Sequence, residues 1–260
     1  MESAPSHIGV WNRCQRLLGR VIRLPLRLIP PAMVVRVVRG PLVGARWIAG
    51  AHIHGCWLGT YERDKAELFA GLVTQGGVLY DIGANVGYYA IMGGRCVGPS
   101  GHVYAFEPVP RNVGFLRRHI EINGLRNVSV IEAGVSDAPG ETTFDLGPNP
   151  AMGHIASTTA VQSVGRSLTI RLESIDDLLN KGRLRPPNWV KIDVEGAEEL
   201  VLAGMRGCLM AHKPTILLAT HSPALHASCD ATLRALGYST RTLEDPSVFD
   251  GRGELLATPA

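Results

Sequence analysis

The chain has 260 residues, of which 45% are apolar and 19% are charged, and this is enough apolar material for one substantial core. The composition excludes a protein that is disordered throughout. No stretch of 18 or more uncharged apolar residues occurs, and arginines interrupt the N-terminal segment. We therefore expect a cytoplasmic protein with neither a transmembrane helix nor a signal peptide. The five cysteines lack CxxC spacing, which argues against a disulfide framework or a structural zinc site.

The formal net charge of +3 is unevenly distributed along the chain. Residues 1–60 contain eight arginines and a single acid, Glu2, whereas residues 61–260 contain 18 basic and 22 acidic residues. We predict an Arg-rich N-terminal extension or cap over 1–60 and one domain over 61–260. An Arg-rich extension can contact nucleic acid or an acidic membrane surface, or it is a solvated arm that lies on the main domain. Because the remainder of the chain is slightly acidic, we expect no nucleic-acid partner.

In chain order, the N-terminal extension is predicted to form helices and a short ribbon that pack against the binding edge of a sheet. From residue 78 onward, short apolar runs alternate with amphipathic stretches, which is typical of an α/β protein whose parallel sheet is covered by helices on both faces. The predicted strands are 78–82, 102–107, 128–133, 189–193 and 214–220, and the predicted helices lie near 86–97, 110–123, 174–181, 196–210 and 222–236.

One part of the chain departs from this alternation. Strands predicted at 141–146 and 167–172 flank a polar loop at 147–166 and add an antiparallel piece at or above the sheet. Loops of that length inside a compact domain are often functional. The hydroxyl of Ser174, three residues before Asp177, is predicted to cap the helix that follows.

The sharpest local feature is an apolar strand that ends in a glycine-bearing turn and continues into a helix. The turn is formed by Gly83, Ala84, Asn85, Gly87 and Tyr88. Such a turn lets a ligand approach the backbone. Glu107, followed by Pro108, lies at the end of the next predicted strand, where its carboxylate can accept both hydroxyls of a ribose. Together these features predict a nucleoside-binding site.

The type of nucleoside is indicated by the turn itself. Asn85 stands where a dinucleotide site requires the middle glycine of G-x-G-x-x-G, so a nicotinamide-dependent oxidoreductase fits poorly. A ligand that carries a sulfonium and an amino acid fits better, because Asp81 at the strand end is expected to face its ammonium group. We therefore predict S-adenosylmethionine as the cofactor. The structural alternative is that Asp81 merely caps the helix.

Two motifs, DIGANVGYY at 81–89 and KIDVEGAE at 191–198, resemble in their order and spacing the FkbM family of S-adenosylmethionine-dependent O-methyltransferases. The resemblance covers roughly residues 55–240 and implies a class I methyltransferase (Rossmann-like) doubly wound sheet. It further implies methyl transfer to a hydroxyl of a sugar, glycan or secondary metabolite, and it places Tyr61 and Glu62 over the cofactor. These proteins often carry Glu-x-His after the fifth strand, whereas this chain has Ala219-Thr220-His221, so the acid is missing.

Methyl transfer to a hydroxyl requires an in-line arrangement of oxygen, carbon and sulfur, and a group that accepts the hydroxyl proton. Groups at the carboxyl ends of the parallel strands can reach this point. The predicted catalytic residues are Lys191, Asp193, Glu195 and His221. Capping of the following helices is the alternative role for Asp193, Glu195 and His221, while Lys191 either pairs with Asp193 or holds an anionic acceptor.

Adenine is expected beyond the third strand, near Glu132, Ala133 and Asp137, with much of the contact made by the backbone. A small molecule or a glycan is the expected acceptor. Two alternative functions stay open: a non-catalytic protein that binds S-adenosylmethionine, and a methyltransferase for another acceptor such as nucleic acid.

A metal site is not predicted. His52 and His54 alternate along one segment, but two imidazoles without a third ligand are a weak signal for a metal. A divalent ion held by Asp193, Glu195 or His221 is an alternative, which the missing acid at the end of the fifth strand makes less favourable.

Overall fold

The computed structural model describes residues 25–146, 153–155, 167–244 and 249–260. The strands are β1 (Val34–Arg36), β2 (Arg46–Ile48), β3 (Val78–Ile82), β4 (His102–Phe106), β5 (Val128–Ile131), β6 (Gly134–Val135), β7 (Gly140–Leu146), β8 (Gly153–Ile155), β9 (Ser167–Glu173), β10 (Trp189–Ile192), β11 (Thr215–Thr220), β12 (Tyr238–Thr242) and β13 (Gly253–Pro259). The α-helices are α1 (Gly55–Leu58), α2 (Arg63–Leu72), α3 (Tyr88–Val97), α4 (Pro110–Ile122), α5 (Ile175–Asn180), α6 (Glu198–Gly204), α7 (Arg206–His212) and α8 (Pro223–Ala235), and a 3-10 turn covers Pro25–Leu28.

The central sheet has seven strands in the order β12-β13-β11-β10-β3-β4-β5. Strands β11, β10, β3, β4 and β5 run parallel, and β13 is antiparallel to both of its neighbours. The strand order reverses between β3 and β10, which is where doubly wound sheets bind their ligands. The predicted α/β, Rossmann-like sheet is confirmed. The antiparallel strands β12 and β13 were not predicted.

Every residue of β3 is buried, and successive side chains along a strand point to opposite faces. Both faces of the sheet are therefore covered by helices. Tyr80 and Ile82 pack into the core that α6, α7 and α8 complete. Leu79 packs into a second core with α2, α3 and the N-terminal ribbon of β1 and β2. The ribbon therefore belongs to the same core as the sheet. None of the described helices is both long and apolar enough to span a bilayer.

The ribbon is fastened to α4 through one buried histidine, His119. The backbone N–H of Ile48 donates to Nε2 of His119 at 3.0 Å, and Nδ1 donates to the carbonyl of Val86 at 2.7 Å. Trp47 stacks on the imidazole, with ring centroids 3.9 Å apart. Burial lowers the pKa of His119 to about 4. Because Nε2 must accept a hydrogen bond, the imidazole is neutral in the folded protein.

Several predicted boundaries differ from the structure. The strand predicted at 128–133 ends at Ile131, because the N–H of Ala133 turns back to the Ile131 carbonyl and the chain leaves the sheet. The helix predicted at 196–210 is two helices, α6 and α7. Their junction is close-packed, since a Cβ at Gly204 would overlap the carbonyl of Ser136. The N-terminus of α7 is capped by Asp176, whose carboxylate accepts two backbone N–H groups at 2.7 Å.

The predicted antiparallel piece is confirmed as a four-stranded sheet in the order β6-β9-β7-β8, with β7 and β9 antiparallel. Strand β8 lies inside the predicted loop 147–166, and the other residues of that loop lie outside the described part of the chain. The predicted cap at Ser174 is also confirmed, because its Oγ accepts from the Asp177 N–H at 3.4 Å.

Candidate functional site

The turn after β3 is shaped by residues in the left-handed region. Gly83 has φ +83° and Gly87 has φ +100°, a conformation that costs glycine little. A Cβ at Gly83 would overlap the carbonyl oxygen of Asp193. The absence of a side chain at Gly83 therefore lets the turn pack directly against the end of β10, and this contact joins the two motifs that the sequence separates by about a hundred residues.

A cavity of about 350 Å³ opens above this turn. Of the residues predicted to bind the cofactor, Gly83, Ala84, Asn85, Tyr88, Glu107 and Pro108 line it. Lys191, Asp193 and Glu195, predicted to be catalytic, line it too, as do His52 and Tyr61 from the segment before α2. The structure thus brings part of each predicted group of residues to one cavity at the switch point of the sheet, whereas Gly87 and His221 do not line it.

Glu107 is held with its carboxylate at the edge of this cavity and is only 5% exposed. It accepts hydrogen bonds from the backbone N–H of Asn85 at 2.8 Å, from the N–H of Val109 at 2.9 Å and from Nδ2 of Asn112 at 3.3 Å. Burial raises the pKa of Glu107 to about 7, against the effect of these hydrogen bonds. Oε1 accepts two of these hydrogen bonds and Oε2 accepts one, so Oε2 retains the capacity to accept a hydroxyl of a ribose.

Asp81 is 1% exposed, and its carboxylate oxygens form no close hydrogen bond within the described residues, although the backbone N–H of Ala90, in the first turn of α3, lies near enough to lower its pKa. The nearest cation is Lys191, whose Nζ lies 3.9 Å from Oδ1. Burial raises the pKa of Asp81 to about 6, and Lys191 opposes the increase. Asp81 does not line the cavity itself, although the residues beside it, from Gly83 onward, do. A buried carboxylate with few hydrogen-bond donors is costly unless a nearby cation or a ligand compensates for the lost solvation.

Lys191 is buried in β10 and lies between the two acids, with Nζ 3.1 Å from Oδ2 of Asp193. Its ammonium also lies 4.8 Å from the centroid of the Tyr89 ring. Burial alone would lower the pKa of Lys191, but the carboxylates of Asp193 and Asp81 outweigh burial and raise it. Desolvation likewise opposes ionisation of Asp193, yet Lys191 and then His221 hold its pKa below the ordinary value. The predicted pairing of Lys191 with Asp193 is therefore present.

His221, at the end of β11, contacts three acids. Its Nδ1 donates to Oε1 of the fully buried Glu198 at 2.5 Å. Its Nε2 lies 3.5 Å from Oδ1 of Asp193 and 3.4 Å from Oε2 of Glu195. Burial would lower the pKa of His221, but the hydrogen bond to Glu198 and the charges of Glu195 and Asp193 raise it. The alternative role of a helix cap is not observed, because Ser222 caps α8.

Asp193, Glu195 and His221 each offer one ligand atom, and these atoms lie within 4.8 Å of one another. Two carboxylates and an imidazole are suitable ligands for a divalent cation such as zinc. Within the described part of the chain, His52 and His54 belong to no such group. Nδ1 of His52 instead lies 3.6 Å from Sγ of Cys56.

A second cavity of about 460 Å³ adjoins the first and shares Tyr61, Asp193 and Glu195 with it. His221 and Ala219 line the second cavity on one side. Glu254 and Arg252, from the C-terminal strand region that was not predicted, also line it.

Glu254 pairs with Ala219 across the β11–β13 ladder and is 5% exposed. Its carboxylate forms an ion pair with Lys65, which also lies 3.4 Å from Glu62. Sequence reasoning missed this acid because no local pattern links residues 219 and 254. Glu198 lies inside the motif at 191–198, but its spacing gave no sign that it would support His221.

The residues expected near adenine are not brought to either cavity. Glu132 is half-exposed and forms an ion pair with Arg117, while Ala133 is fully buried. Asp137 is exposed and accepts a hydrogen bond from Ser136. The cause is the early end of β5, after which Gly134 and Val135, rather than these three residues, line the first cavity.

The amino-acid sequence and the fold were compared with those of known proteins. The family described as the methyltransferase FkbM domain matches residues 81–240, which is more than half of the chain. The hexuronic acid methyltransferase AglP of Haloferax volcanii is 33% identical over 151 residues, which cover 58% of this chain and 59% of that protein. A protein-L-isoaspartate O-methyltransferase of Methanothrix thermoacetophila is 42% identical over 57 residues, or 22% of this chain and 27% of that protein.

Among solved structures, the methyltransferase FkbM of Methylobacillus flagellatus is similar at a TM-score of 0.49 with 18% identity, covering 73% of this chain and 47% of that chain. This chain thus spans about three-fifths of its curated relative and about half of that solved chain. The sheet order, the glycine turn packed on β10 and the match over residues 81–240 show that the chain belongs to the FkbM family of S-adenosylmethionine-dependent methyltransferases, with a class I, Rossmann-like fold.

Proposed function

We propose that the protein transfers a methyl group from S-adenosylmethionine to a hydroxyl of a sugar, a glycan or a secondary metabolite. The observation that carries this proposal is the placement of Asp193 and Glu195 at the junction of two adjoining cavities, with His221 beside them. One cavity suits the cofactor and the other suits an acceptor. The similarity to a hexuronic acid methyltransferase supports a sugar-type acceptor.

The residues around the first cavity fit the cofactor. Glu107 lines this cavity and is positioned to accept a ribose hydroxyl, and the negative charge of Asp81, two residues before the lining residue Gly83, favours the ammonium of the methionine part. S-adenosylmethionine supplies a methyl group attached to a positively charged sulfur. The tight turn contributes Gly83, Ala84 and Asn85 to the wall of this cavity, and the glycine lets the turn pack on the end of β10.

His221 is the proposed proton acceptor. Its Nδ1–H is committed to Glu198, so Nε2 is the nitrogen that faces the junction and can take the hydroxyl proton. Glu198 fixes the imidazole and stabilises the imidazolium that forms. Asp193, anchored by Lys191, and Glu195 orient the acceptor hydroxyl. Cavity walls that exclude water complete the alignment of oxygen, carbon and sulfur.

Binding of the cofactor is tested by calorimetric titration of the purified protein with S-adenosylmethionine. Asp81→Asn and Glu107→Gln are each expected to weaken binding by roughly 10- to 100-fold, the value of a hydrogen bond to a charged group. Glu121→Gln, an exposed acid on α4, is the matched control and leaves affinity unchanged. Unchanged affinity in both cavity variants would contradict the assignment of the first cavity.

Methyl transfer is tested with a panel of uronic acids, neutral sugars and their glycosides, with mass spectrometry to detect the added methyl group. A methyl ether survives mild alkali, whereas a methyl ester is hydrolysed, so alkali treatment separates hydroxyl from carboxyl methylation. His221→Gln is expected to retain cofactor binding and lose roughly 10²- to 10⁴-fold in turnover. His212→Gln, an exposed histidine on α7, is the control. Cofactor binding without turnover on the whole panel would favour a non-catalytic binding protein.

A further inference from the structure

The ribbon of β1 and β2 presents a mixed apolar and cationic surface that the proposed reaction does not use. We define the ribbon face by three valines and three arginines that are all exposed: Val34, Val38, Val43, Arg36, Arg39 and Arg46. The valines are 45%, 58% and 53% exposed, and together with the arginines they make up one surface patch. On the other side of the ribbon, Val37 and Trp47 are buried.

Strand geometry places four of these side chains together, those of Val34, Arg36, Val38 and Arg46. Residues 34, 36 and 38 alternate with the inward Val35 and Val37, so they share the outer side of the chain. Arg46 is the register partner of Arg36 in the antiparallel ladder and therefore lies beside it on the same side. The ribbon is rigidly supported, because Trp47 and Ile48 are locked onto His119 of α4.

The charges of the ribbon face are not neutralised within the described part of the protein. Two arginines opposite each other on a ladder repel, and none of the three arginines forms an ion pair with a described acid. The sequence from 25 to 60 contains no acidic residue. Each arginine donates to a backbone carbonyl, namely that of Gly44, Leu58 or Ile122, so these contacts leave the cationic charge unpaired.

We propose that the ribbon face docks on the surface of an anionic lipid bilayer. Phosphate and carboxylate headgroups attract the guanidinium groups, while the exposed valines enter the region just below the headgroups. A nucleic acid would satisfy the arginines but would leave the three valines exposed to solvent, and for this reason the bilayer fits the observations better. The proposal is independent of the acceptor and of the residues assigned to catalysis.

The experiment uses the full chain and sedimentation with vesicles of phosphatidylcholine alone or mixed with phosphatidylserine. We expect binding to the anionic vesicles and weaker binding as salt increases. The variant Arg36→Gln/Arg39→Gln/Arg46→Gln is expected to lower the partition coefficient by on the order of 100-fold. The variant Val38→Ser/Val43→Ser, which leaves the strands untouched, is expected to lower it by about tenfold.

The matched control is Arg206→Gln/Met210→Ser on α7, which replaces an exposed arginine and an exposed apolar side chain on the opposite face of the sheet and leaves partition unchanged. Thermal unfolding establishes that every variant is folded. Equal partition of both ribbon variants and the wild type would overturn the proposal and assign any vesicle binding to other residues, including 1–24. Binding to an oligonucleotide that the arginine variant loses, together with no binding to vesicles, would overturn it in favour of nucleic acid.

Discussion

The imidazole of His221 is held by Glu198, a fully buried carboxylate whose Oε1 accepts from Nδ1 at 2.5 Å. His221 follows β11, whereas Glu198 begins α6, so the contact joins two strand-end loops of the sheet. The second oxygen of Glu198 has no hydrogen-bond partner among the described residues. Burying the Glu198 carboxylate is costly for folding. Its presence is explained by its effect on His221, because it fixes the tautomer of the imidazole and favours the charged form.

Glu198→Gln should therefore impair turnover without affecting cofactor binding. We expect kcat to fall by roughly 10²-fold with little change in KM, because the neutral amide no longer stabilises the imidazolium. The carboxylate raises the pKa of His221, so its removal should also move the acidic limb of the pH–rate profile to lower pH. Glu199→Gln, one residue further along α6, is the control. A fall in kcat without movement of this limb would indicate a purely structural role.

Cofactor affinity should depend on pH through Glu107, whose pKa is raised to about 7 by burial. Protonation removes the charge that accepts the ribose hydroxyls. The dissociation constant measured by titration should therefore rise as the pH falls below about 7, and Glu107→Gln should remove this part of the dependence while leaving the part due to Asp81, whose pKa is about 6. If the variant retains the same pH dependence as the wild type, another group is responsible.

Stability in mild acid should depend on His119. Burial lowers its pKa from 6.5 to about 4, so between these values the unfolded chain binds a proton that the folded chain does not. The contribution of the neutral His119 to the free energy of unfolding is complete above pH 6.5 and is lost as the pH falls toward 4. We expect the stability advantage of the wild type over His119→Gln to shrink by about 3 kcal/mol over this interval. Denaturant unfolding at several pH values measures it, and a constant difference would refute the assignment.

Gly83→Ala should destabilise the protein and disrupt the junction of the cavities. Its φ of +83° and the clash of a Cβ with the Asp193 carbonyl predict a loss of more than about 2 kcal/mol. Gly114→Ala is a matched control, because Gly114 lies within α4 with nothing within 4 Å of a new Cβ. That control should gain about 0.5–1 kcal/mol from the higher helix propensity of alanine. Thermal unfolding of the two variants should therefore shift in opposite directions.

Chelation tests the alternative use of Asp193, Glu195 and His221 as metal ligands. Since Nε2 of His221 is the proposed proton acceptor, we expect EDTA to leave turnover unchanged. Loss of activity on chelation and its recovery with zinc, manganese or magnesium would replace the proposed base with a bound cation.

The local sequence was sufficient to predict the strand, turn and helix start beside the first cavity. The run 81–89 encodes a buried strand, a glycine turn and a helix start, and all three depend on residues adjacent in the chain. Glu107 follows the next strand, and parallel strands end at the same edge, so its position could also be predicted. The three residues expected near adenine, Glu132, Ala133 and Asp137, do not line the cavity. The end of the preceding strand is set by tertiary hydrogen bonds, which the apolar pattern of the sequence does not reveal.

The sequence by itself thus determined the α/β class, the switch-point turn and the acids at the strand ends, because each depends on local periodicity or spacing. Only the tertiary structure decided that Glu198 holds His221, that Glu254 lies opposite Ala219 and that His119 anchors the ribbon. These contacts depend on sheet register and helix packing between distant segments. A single sequence carries no local signal for such pairs, since the free energy that selects them comes from burying the whole core at once.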